Sequence, residues 1–306
     1  MTTCLGIDGG GTKTTCVVGD ESKVLSTGLG GGCNVVRRGA EQARASIHAA
    51  ILQAISEADV SPQNIARTCI GAAGISAPGV SMMLRKFITE VVSGEVDVVG
   101  DHEIAFEAGF GPGPGTIVIS GTGSIAWGRN KERQYARAGG YGFAVSDEGS
   151  GHWIGRTAVS QTLRAIDHGV STKLHGLILD AWKIDANALV RTANAIPLPD
   201  FAGLCPLVVE AAEDGDQVAK AVLCRAGTEL ADLAGAVLDR LWPPDEPVRV
   251  AMVGGVFKSS AMVRDYFRLA LQNRHKSAHI QQTVPDPVLG ALRLANRAWL
   301  SELRRP

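Results

Sequence analysis

The chain has 306 residues, of which 45% are hydrophobic and 20% are charged, and its formal net charge is −1. A chain longer than about 250–300 residues usually folds as two domains, and active sites are common in the cleft between domains. The near-neutral charge argues against a nucleic acid or an acidic membrane surface as a partner, and no apolar run reaches the roughly 20 residues that span a bilayer.

The N-terminal part predicts an antiparallel start to a sheet, followed by a helix. Apolar and alternating runs predict strands over residues 3–7, 14–19 and 24–28, before a glycine-rich loop at 30–34. Over residues 40–59 apolar side chains recur at helical spacing, so this helix should pack one face on the sheet.

The following segment alternates strands and helices, which is typical of an α/β domain. The predicted strands are 66–72 and 96–99, and the predicted helices are 82–92 and 103–108. After a sharp turn at 111–115, residues 116–119 and 125–128 predict a new hairpin. The second half therefore restarts the layout of the first.

Long helices dominate the remainder. Residues 217–241 carry a stripe of apolar side chains, and Trp242-Pro243-Pro244 ends that helix. Residues 248–253 read as a buried strand that runs into Gly254 and Gly255, with a further helix over 261–271.

Six cysteines are scattered along the chain, with neither a C-x-x-C pair nor the spacing of a metal site. Cys4, Cys16 and Cys69 lie in apolar strand-like runs, where small buried side chains are the rule. The chain opens directly into a strand rather than a signal peptide, so we expect a protein of the reducing cytoplasm.

Two glycine-rich turns, residues 8–13 (DGGGTK) and 120–124 (SGTGS), each join two predicted strands. Glycine can take positive φ and lets backbone N–H groups approach an anion, and a threonine hydroxyl adds a donor. Either turn alone is more simply a hairpin, whereas the pair predicts a clamp around a polyphosphate. A P-loop is excluded because residues 11–14 lead into a strand rather than a helix, and no dinucleotide fingerprint is present.

Two aspartates follow strand ends near these turns. Asp8 could bind a phosphate-bound Mg²⁺, which takes only one or two protein carboxylates, or it could cap its own turn. Asp101 could accept the proton of an attacking hydroxyl during phosphoryl transfer, and it could also be the N-cap of a helix that starts near Glu103.

A third unusual stretch joins residues 139–143 (GGYGF) to 147–150 (DEGS). Tyr141 could offer a flat face to a sugar ring, and Asp147 could accept hydrogen bonds from sugar hydroxyls. Structural alternatives are that the aromatic residues belong to the core, and that Asp147 or Ser150 caps the helix containing Trp153.

With these residues in place, the chain resembles the N-acetylglucosamine kinase family, among the BadF and BcrA ATPases and the wider actin-like, Hsp70-like and hexokinase-like ATPases. The resemblance runs over nearly the whole chain. The segments that carry it are 6–13 (GIDGGGTK), 30–34 (GGGCN), the strand before Asp101, 120–124, 139–142, 147–150 and 253–259 (VGGVFKS).

The resemblance implies an α/β fold of two ribonuclease-H-like (actin-like ATPase) domains with an interdomain cleft, residues 1–115 with 288–306 forming one domain and 116–287 the other. It implies ATP and Mg²⁺, with Asp8 toward the metal and Asp101 as catalytic base. The implied ATP contacts are Gly10, Gly11, Thr12, Lys13, Thr122, Gly123, Ala212, Gly254, Gly255 and Ser259. The implied amino-sugar contacts are Asn34, Asp101, Ser124, Gly140, Tyr141 and Asp147.

The expected function is ATP-dependent phosphorylation of an amino sugar by a homodimer, most simply at the 6-hydroxyl of N-acetylglucosamine, with glucosamine or N-acetylmuramic acid as other substrates. Relatives similar to the animal enzyme carry Trp at Tyr141, an aromatic residue at Val35 and Asn at Ile125, so the sugar is less determined than the reaction.

Three alternatives share parts of this pattern. An ATPase that activates an iron–sulfur enzyme needs clustered cysteines, which the sequence lacks. A nucleotide-gated sugar sensor would not need Asp101 as a base. The ROK sugar kinases carry a Cys/His zinc motif that is missing here.

Overall fold

The computed structural model describes residues 3–20, 23–75 and 77–303. The chain forms two compact units, Met1–Gly113 with Pro285–Pro306 and Pro114–Val284. Each unit is built around one five-stranded sheet. Within the described ranges, no helix combines the length and the apolar character needed to cross a membrane.

The sheet of the first unit begins antiparallel and continues parallel, as the sequence predicts. Its strands are β1 (Thr3–Gly9), β2 (Lys13–Gly19), β3 (Val24–Gly31), β4 (Ile65–Ala72) and β5 (Glu95–Gly100). They lie in the order β3-β2-β1-β4-β5, with β1, β2 and β3 antiparallel and β1, β4 and β5 parallel. Strand β3 extends through Gly31 into the segment that was expected to be a loop.

Four helices follow these strands along the chain: α1 (Val35–Arg38), α2 (Ala40–Glu57), α3 (Val80–Thr89) and α4 (Asp101–Phe110). Helix α2 buries its apolar stripe, including Ile47 and Ile51, against the sheet. It lies so close to β3 that a Cβ on Gly28 would stand 2.0 Å from the Ala50 carbonyl oxygen. Glycine in β3 therefore permits the tight helix-on-strand packing that the amphipathic pattern of α2 requires.

The sheet of the second unit repeats the first. Its strands are β6 (Gly115–Ser120), β7 (Ser124–Arg129), β8 (Tyr135–Gly139), β9 (Val248–Val253) and β10 (Ala278–Ile280). They lie in the order β10-β9-β6-β7-β8, with β6, β7 and β8 antiparallel and β6, β9 and β10 parallel. The predicted restart of the layout is thus confirmed for β6, β7 and β9, whereas β8 and β10 carry too little pattern to be predicted.

Helices cover this second sheet and form most of the unit. They are α5 (Gly151–Asp167), α6 (Leu174–Trp182), α7 (Leu189–Ala193), α8 (Cys205–Glu213), α9 (Gln217–Leu241), α10 (Gly255–Ser259) and α11 (Ala261–Arg274). Helix α9 has the predicted bounds and buries Leu230 and Val237 in the core.

The last helix, α12 (Pro287–Leu303), returns to the first unit and packs on β1 and α4. Two glycines allow that contact: a Cβ on Gly6 would lie 2.4 Å from the Leu292 nitrogen, and one on Gly290 would lie 1.9 Å from the Ile104 carbonyl oxygen. The buried Glu107 carboxylate of α4 also pairs with Arg297 of α12. Helix α12 therefore holds in place the helix that begins with Asp101.

Candidate active site

In the first unit, three parallel strands end at one edge of the sheet. Gly9 of β1 is in register with Ala72 of β4, which is in register with Gly100 of β5. Asp8 lies near the end of β1, and Asp101 directly follows β5. Since neighbouring strands lie about 4.8 Å apart, these two strands are about 10 Å apart at the same edge. The carboxyl ends of parallel strands are where α/β proteins bind ligands.

Asp101 is the first residue of α4, and its side chain is half-buried. The helix N-cap is Gly100, whose N–H donates to Glu103 Oε1 at 2.9 Å, so the prediction that Asp101 is the N-cap is wrong. Asp101 Oδ1 accepts from the His102 backbone N–H at 2.9 Å. Its Oδ2 accepts no hydrogen bond from the residues that the structure describes, so that oxygen can receive a proton.

The glycine turn between β1 and β2 is compact. The Gly10 N–H donates to the Lys13 carbonyl at 3.0 Å, and the Cys33 N–H donates to the Gly10 carbonyl at 3.1 Å. A Cβ on Gly9 would lie 2.8 Å from Cys33 Sγ. Burial raises the pKa of the Cys33 thiol to about 11, although a hydrogen bond with Thr14 acts in the opposite direction. Cys33 is therefore a neutral packing partner of the turn.

Thr12 and Lys13 lie on the exposed side of this turn, and Asp8 is half-buried within β1. Asn34 lies near the same edge, because a Cβ on Gly74, just beyond β4, would lie 3.6 Å from its Nδ2. Asn34 Oδ1 also accepts from the Arg37 N–H at 3.2 Å and so caps α1. The first unit thus brings Asp8, the glycine turn, Asn34 and Asp101 to one edge.

In the second unit, the turn between β6 and β7 is tied to the segment before α5. Ser120 Oγ donates to the Gly149 carbonyl at 2.8 Å, and Ser124 Oγ donates to the Glu148 carbonyl at 2.7 Å. The Gly151 N–H donates to the Gly121 carbonyl at 2.8 Å. Because the buried Ser124 hydroxyl already donates its proton, it could contact a sugar hydroxyl only as an acceptor.

The segment that follows β9 reaches the same turn. Gly254 has φ +104°, and a Cβ there would lie 2.3 Å from the Ser120 carbonyl oxygen, so both its conformation and its space require glycine. Gly255 begins α10 and faces open space, and the Ser259 hydroxyl bonds to the Val256 carbonyl at 3.4 Å. Gly254 therefore adjoins the 120–124 turn, and Gly255 follows it directly in the chain.

An uncommon backbone conformation places Asp147 against the 120–124 turn. It is buried and has φ +67°, which is uncommon for a residue with a side chain. A Cβ on Gly123 would lie 2.9 Å from Asp147 Oδ2. The structure gives helix capping to Ser150, whose Oγ accepts from the Trp153 N–H at 3.1 Å, and not to Asp147.

Tyr141 and Ala212 differ sharply in exposure. Tyr141 follows Gly140, which has φ +73°, and is 63% exposed with the Arg137 guanidinium 4.9 Å from its ring centre. An exposed ring on a glycine-flanked loop suits contact with a sugar face. Ala212 is 2% exposed and packs in the core from α8, so it offers little surface to an adenine.

A match to a family model covers residues 5–295 and is described as the BadF/BadG/BcrA/BcrD ATPase family. The chain belongs to that family. This ATPase family member is 33% identical to the N-acetylmuramic acid/N-acetylglucosamine kinase of Clostridium acetobutylicum. The match covers 95% of this chain and 97% of that one. It is 28% identical to the N-acetyl-D-glucosamine kinase of Dictyostelium discoideum, again over 95% of this chain and 97% of that one.

Solved structures agree with the fold of this ATPase family member. A protein provisionally named N-acetylglucosamine kinase, from Chromobacterium violaceum, superposes with a TM-score of 0.75 and 27% identity over 96% of this chain and 99% of that one. A ROK family glucokinase from Streptomyces griseus superposes with a TM-score of 0.61 and 21% identity over 96% and 99% of the two chains, which shows a shared fold.

One residue beside the glycine turn of this ATPase's second unit was not predicted from the sequence. His152 is buried, its N–H contacts the Thr122 carbonyl at 3.4 Å, and its ring centre lies 4.9 Å from that of Phe143. It links the glycine turn to the loop that carries Tyr141. Its position directly after the 147–151 segment was the signal available in the sequence.

Proposed function

We propose that this chain is an ATP-dependent kinase that transfers a phosphoryl group to the 6-hydroxyl of an amino sugar, with N-acetylglucosamine as the first candidate. Membership of an ATPase family and the names of two relatives support the reaction class. The observation that carries the proposal is Asp101, a half-buried carboxylate with one oxygen available at the sheet edge that also holds Asp8 and the glycine turn.

In the proposed reaction, residues of both units have roles. Asp101 accepts the proton of the sugar hydroxyl as its oxygen bonds to the γ-phosphorus, and the bond from that phosphorus to the leaving oxygen of ADP breaks. The backbone of Gly10, Gly11 and Gly123 would bind phosphate, assisted by the Thr12 and Thr122 side chains and by Lys13. Transfer of the phosphoryl group to the sugar rather than to water requires that Asp101 accept a proton only from the hydroxyl of a bound sugar.

The nucleoside would lie beside Gly254, Gly255 and Ser259, of which Gly254 adjoins the 120–124 turn. Asn34, Gly140, Tyr141 and Asp147 would bind the sugar. Asp8, a half-buried carboxylate at the phosphate-binding edge, fits Mg²⁺, which needs few protein ligands when phosphates and waters supply the rest. When bound there, Mg²⁺ would neutralise phosphate charge.

Homodimer formation and a cytoplasmic location remain our predictions from sequence. An iron–sulfur role is not favoured, because five of the six free cysteines are buried in the cores and the sixth is half-buried. Among the described residues, no three His, Cys, Asp or Glu side chains gather around a metal position.

The deciding experiment is a coupled ADP-release assay with N-acetylglucosamine, glucosamine, N-acetylmuramic acid, N-acetylmannosamine and glucose. We expect sugar-dependent ADP release that is greatest with an N-acetylated amino sugar. Product analysis should locate the phosphate on the 6-oxygen. No sugar-dependent release with any of the five sugars would contradict the proposed function.

A further inference from the structure

A cavity of about 530 Å³ lies within the Pro114–Val284 unit, beside α5. Its apolar wall comes from Phe143 in the loop after β8, from Val159 and Leu163 on α5, and from Phe201. This volume is within the range of cavities that bind small molecules. None of the residues given a role in the proposed reaction lines it.

The cavity shares its wall with the loop proposed to bind sugar. Phe143 is two residues after Tyr141, and its ring packs on His152, whose ring centre lies 5.3 Å from that of Phe201. The His152 backbone N–H contacts the Thr122 carbonyl. The end of the cavity formed by Phe143 and His152 therefore adjoins the loop proposed to bind sugar.

That end of the cavity is positively charged. Arg156 lies one helical turn after His152, and among the residues that the structure describes it has no ion-pair partner. Arg164, on the same face of α5, is about 12 Å further along the helix axis. The acid in the cavity lining, Asp167, lies three residues after Arg164, at the end of α5 that is far from His152. The end near the sugar loop thus carries an uncompensated guanidinium beside an apolar wall.

We propose that this end of the cavity binds the acidic substituent of an amino sugar, and that Arg156 distinguishes such a sugar from its uncharged parent. The inference rests on the proposed kinase function. N-acetylmuramic acid is the simplest probe, because it is N-acetylglucosamine with a lactyl ether that adds one carboxylate and one methyl group. A guanidinium can bind a carboxylate through two parallel hydrogen bonds, and Phe143 can cover the methyl group.

The test compares kcat/KM for N-acetylglucosamine and N-acetylmuramic acid in the wild type, Arg156→Gln and Arg164→Gln. We expect Arg156→Gln to lower kcat/KM for N-acetylmuramic acid by about tenfold or more, which is typical for loss of a charged hydrogen bond. The value for N-acetylglucosamine should change less than about twofold. Arg164→Gln, which removes the same charge at the far end, should leave the ratio of the two values unchanged.

A chemical control uses the primary amide of N-acetylmuramic acid, which keeps nearly the same shape as the acid and loses the charge. The wild type should prefer the acid to the amide, and Arg156→Gln should not. A wild type that phosphorylates N-acetylglucosamine but not N-acetylmuramic acid would overturn this inference and leave the kinase proposal intact. An equal loss with both sugars in Arg156→Gln would also overturn it, and inactivity of the wild type with every sugar would overturn both proposals.

Discussion

Replacement of Asp101 by Asn is the sharpest test of the proposed mechanism, because the structure separates the catalytic role from the structural one. An Asn Oδ1 can still accept the hydrogen bond that the His102 N–H now donates at 2.9 Å. The helix N-cap is Gly100, whose N–H is bonded by Glu103, so α4 does not depend on the Asp101 charge for capping. The lost attraction between that charge and the helix dipole is worth only about 0.3–1 kcal/mol.

The chemical step should suffer far more. A positioned general base typically contributes about 10²–10⁴-fold to the rate. At about 1.4 kcal/mol for each factor of ten, this corresponds to roughly 3–5 kcal/mol of transition-state stabilisation. Asp101→Asn should therefore lower kcat by at least about a hundredfold, while the thermal unfolding temperature and ATP binding stay close to those of the wild type.

The assay is steady-state ADP release with saturating sugar, together with calorimetric titration of ATP. Glu103→Gln is the matched control, because it removes an equal charge from the same helical turn but from a side chain with no proposed proton transfer. Its kcat should remain close to that of the wild type. A kcat for Asp101→Asn within about threefold of the wild type would remove Asp101 as the base, since even the lower end of base catalysis exceeds that loss.

Two further predictions concern stability. Gly254→Ala would place a Cβ 2.3 Å from the Ser120 carbonyl oxygen on a residue with φ +104°, so the free energy of unfolding should fall by about 1–3 kcal/mol or more in thermal unfolding. Gly255→Ala is the control, because its Cβ would face open space and should change the stability little. Equal losses in the two variants would show that Gly254 is not required for its conformation and space. Burial raises the pKa of the Cys16 thiol to about 12 in the folded protein, whereas a thiol in the unfolded chain has a pKa of about 8.5. Between these two pH values the folded protein keeps the Cys16 proton and the unfolded chain loses it. The free energy of unfolding should therefore fall as pH rises from about 8.5 toward 12, and Cys16→Ala should weaken that fall in urea titrations; parallel curves for the two proteins would contradict this.

The regular elements could be predicted because their signals are local. The helix pattern of α9, the continuous apolar run of β9 and the strand-turn-strand patterns around both glycine turns need only neighbouring residues, and all three are confirmed. The repeated sheet was predicted for the same reason. Strands β8 and β10 were missed, because five and three residues respectively carry too little periodicity.

The reason for the glycines in the turns needed the tertiary structure. Positive φ was the predicted reason for glycine in these turns, yet Gly10, Gly11 and Gly123 do not adopt it. The demand at Gly123 is space, because its Cα faces the Asp147 carboxylate. Close approach between segments distant in sequence leaves no local pattern, whereas a hairpin does.

The amino-acid sequence by itself determined the two α/β units, the turns that suit phosphate and the pair of aspartates at strand ends, since strand and helix periods and turn chemistry are local properties. Only the tertiary structure decided which side chains are available. In the folded protein the Ser124 hydroxyl donates to a backbone carbonyl and Ala212 is buried. One Asp101 oxygen stays available, and Arg156 lines a cavity. Availability depends on which distant segments cover a side chain, and that is set by packing rather than by the residue's neighbours in the chain.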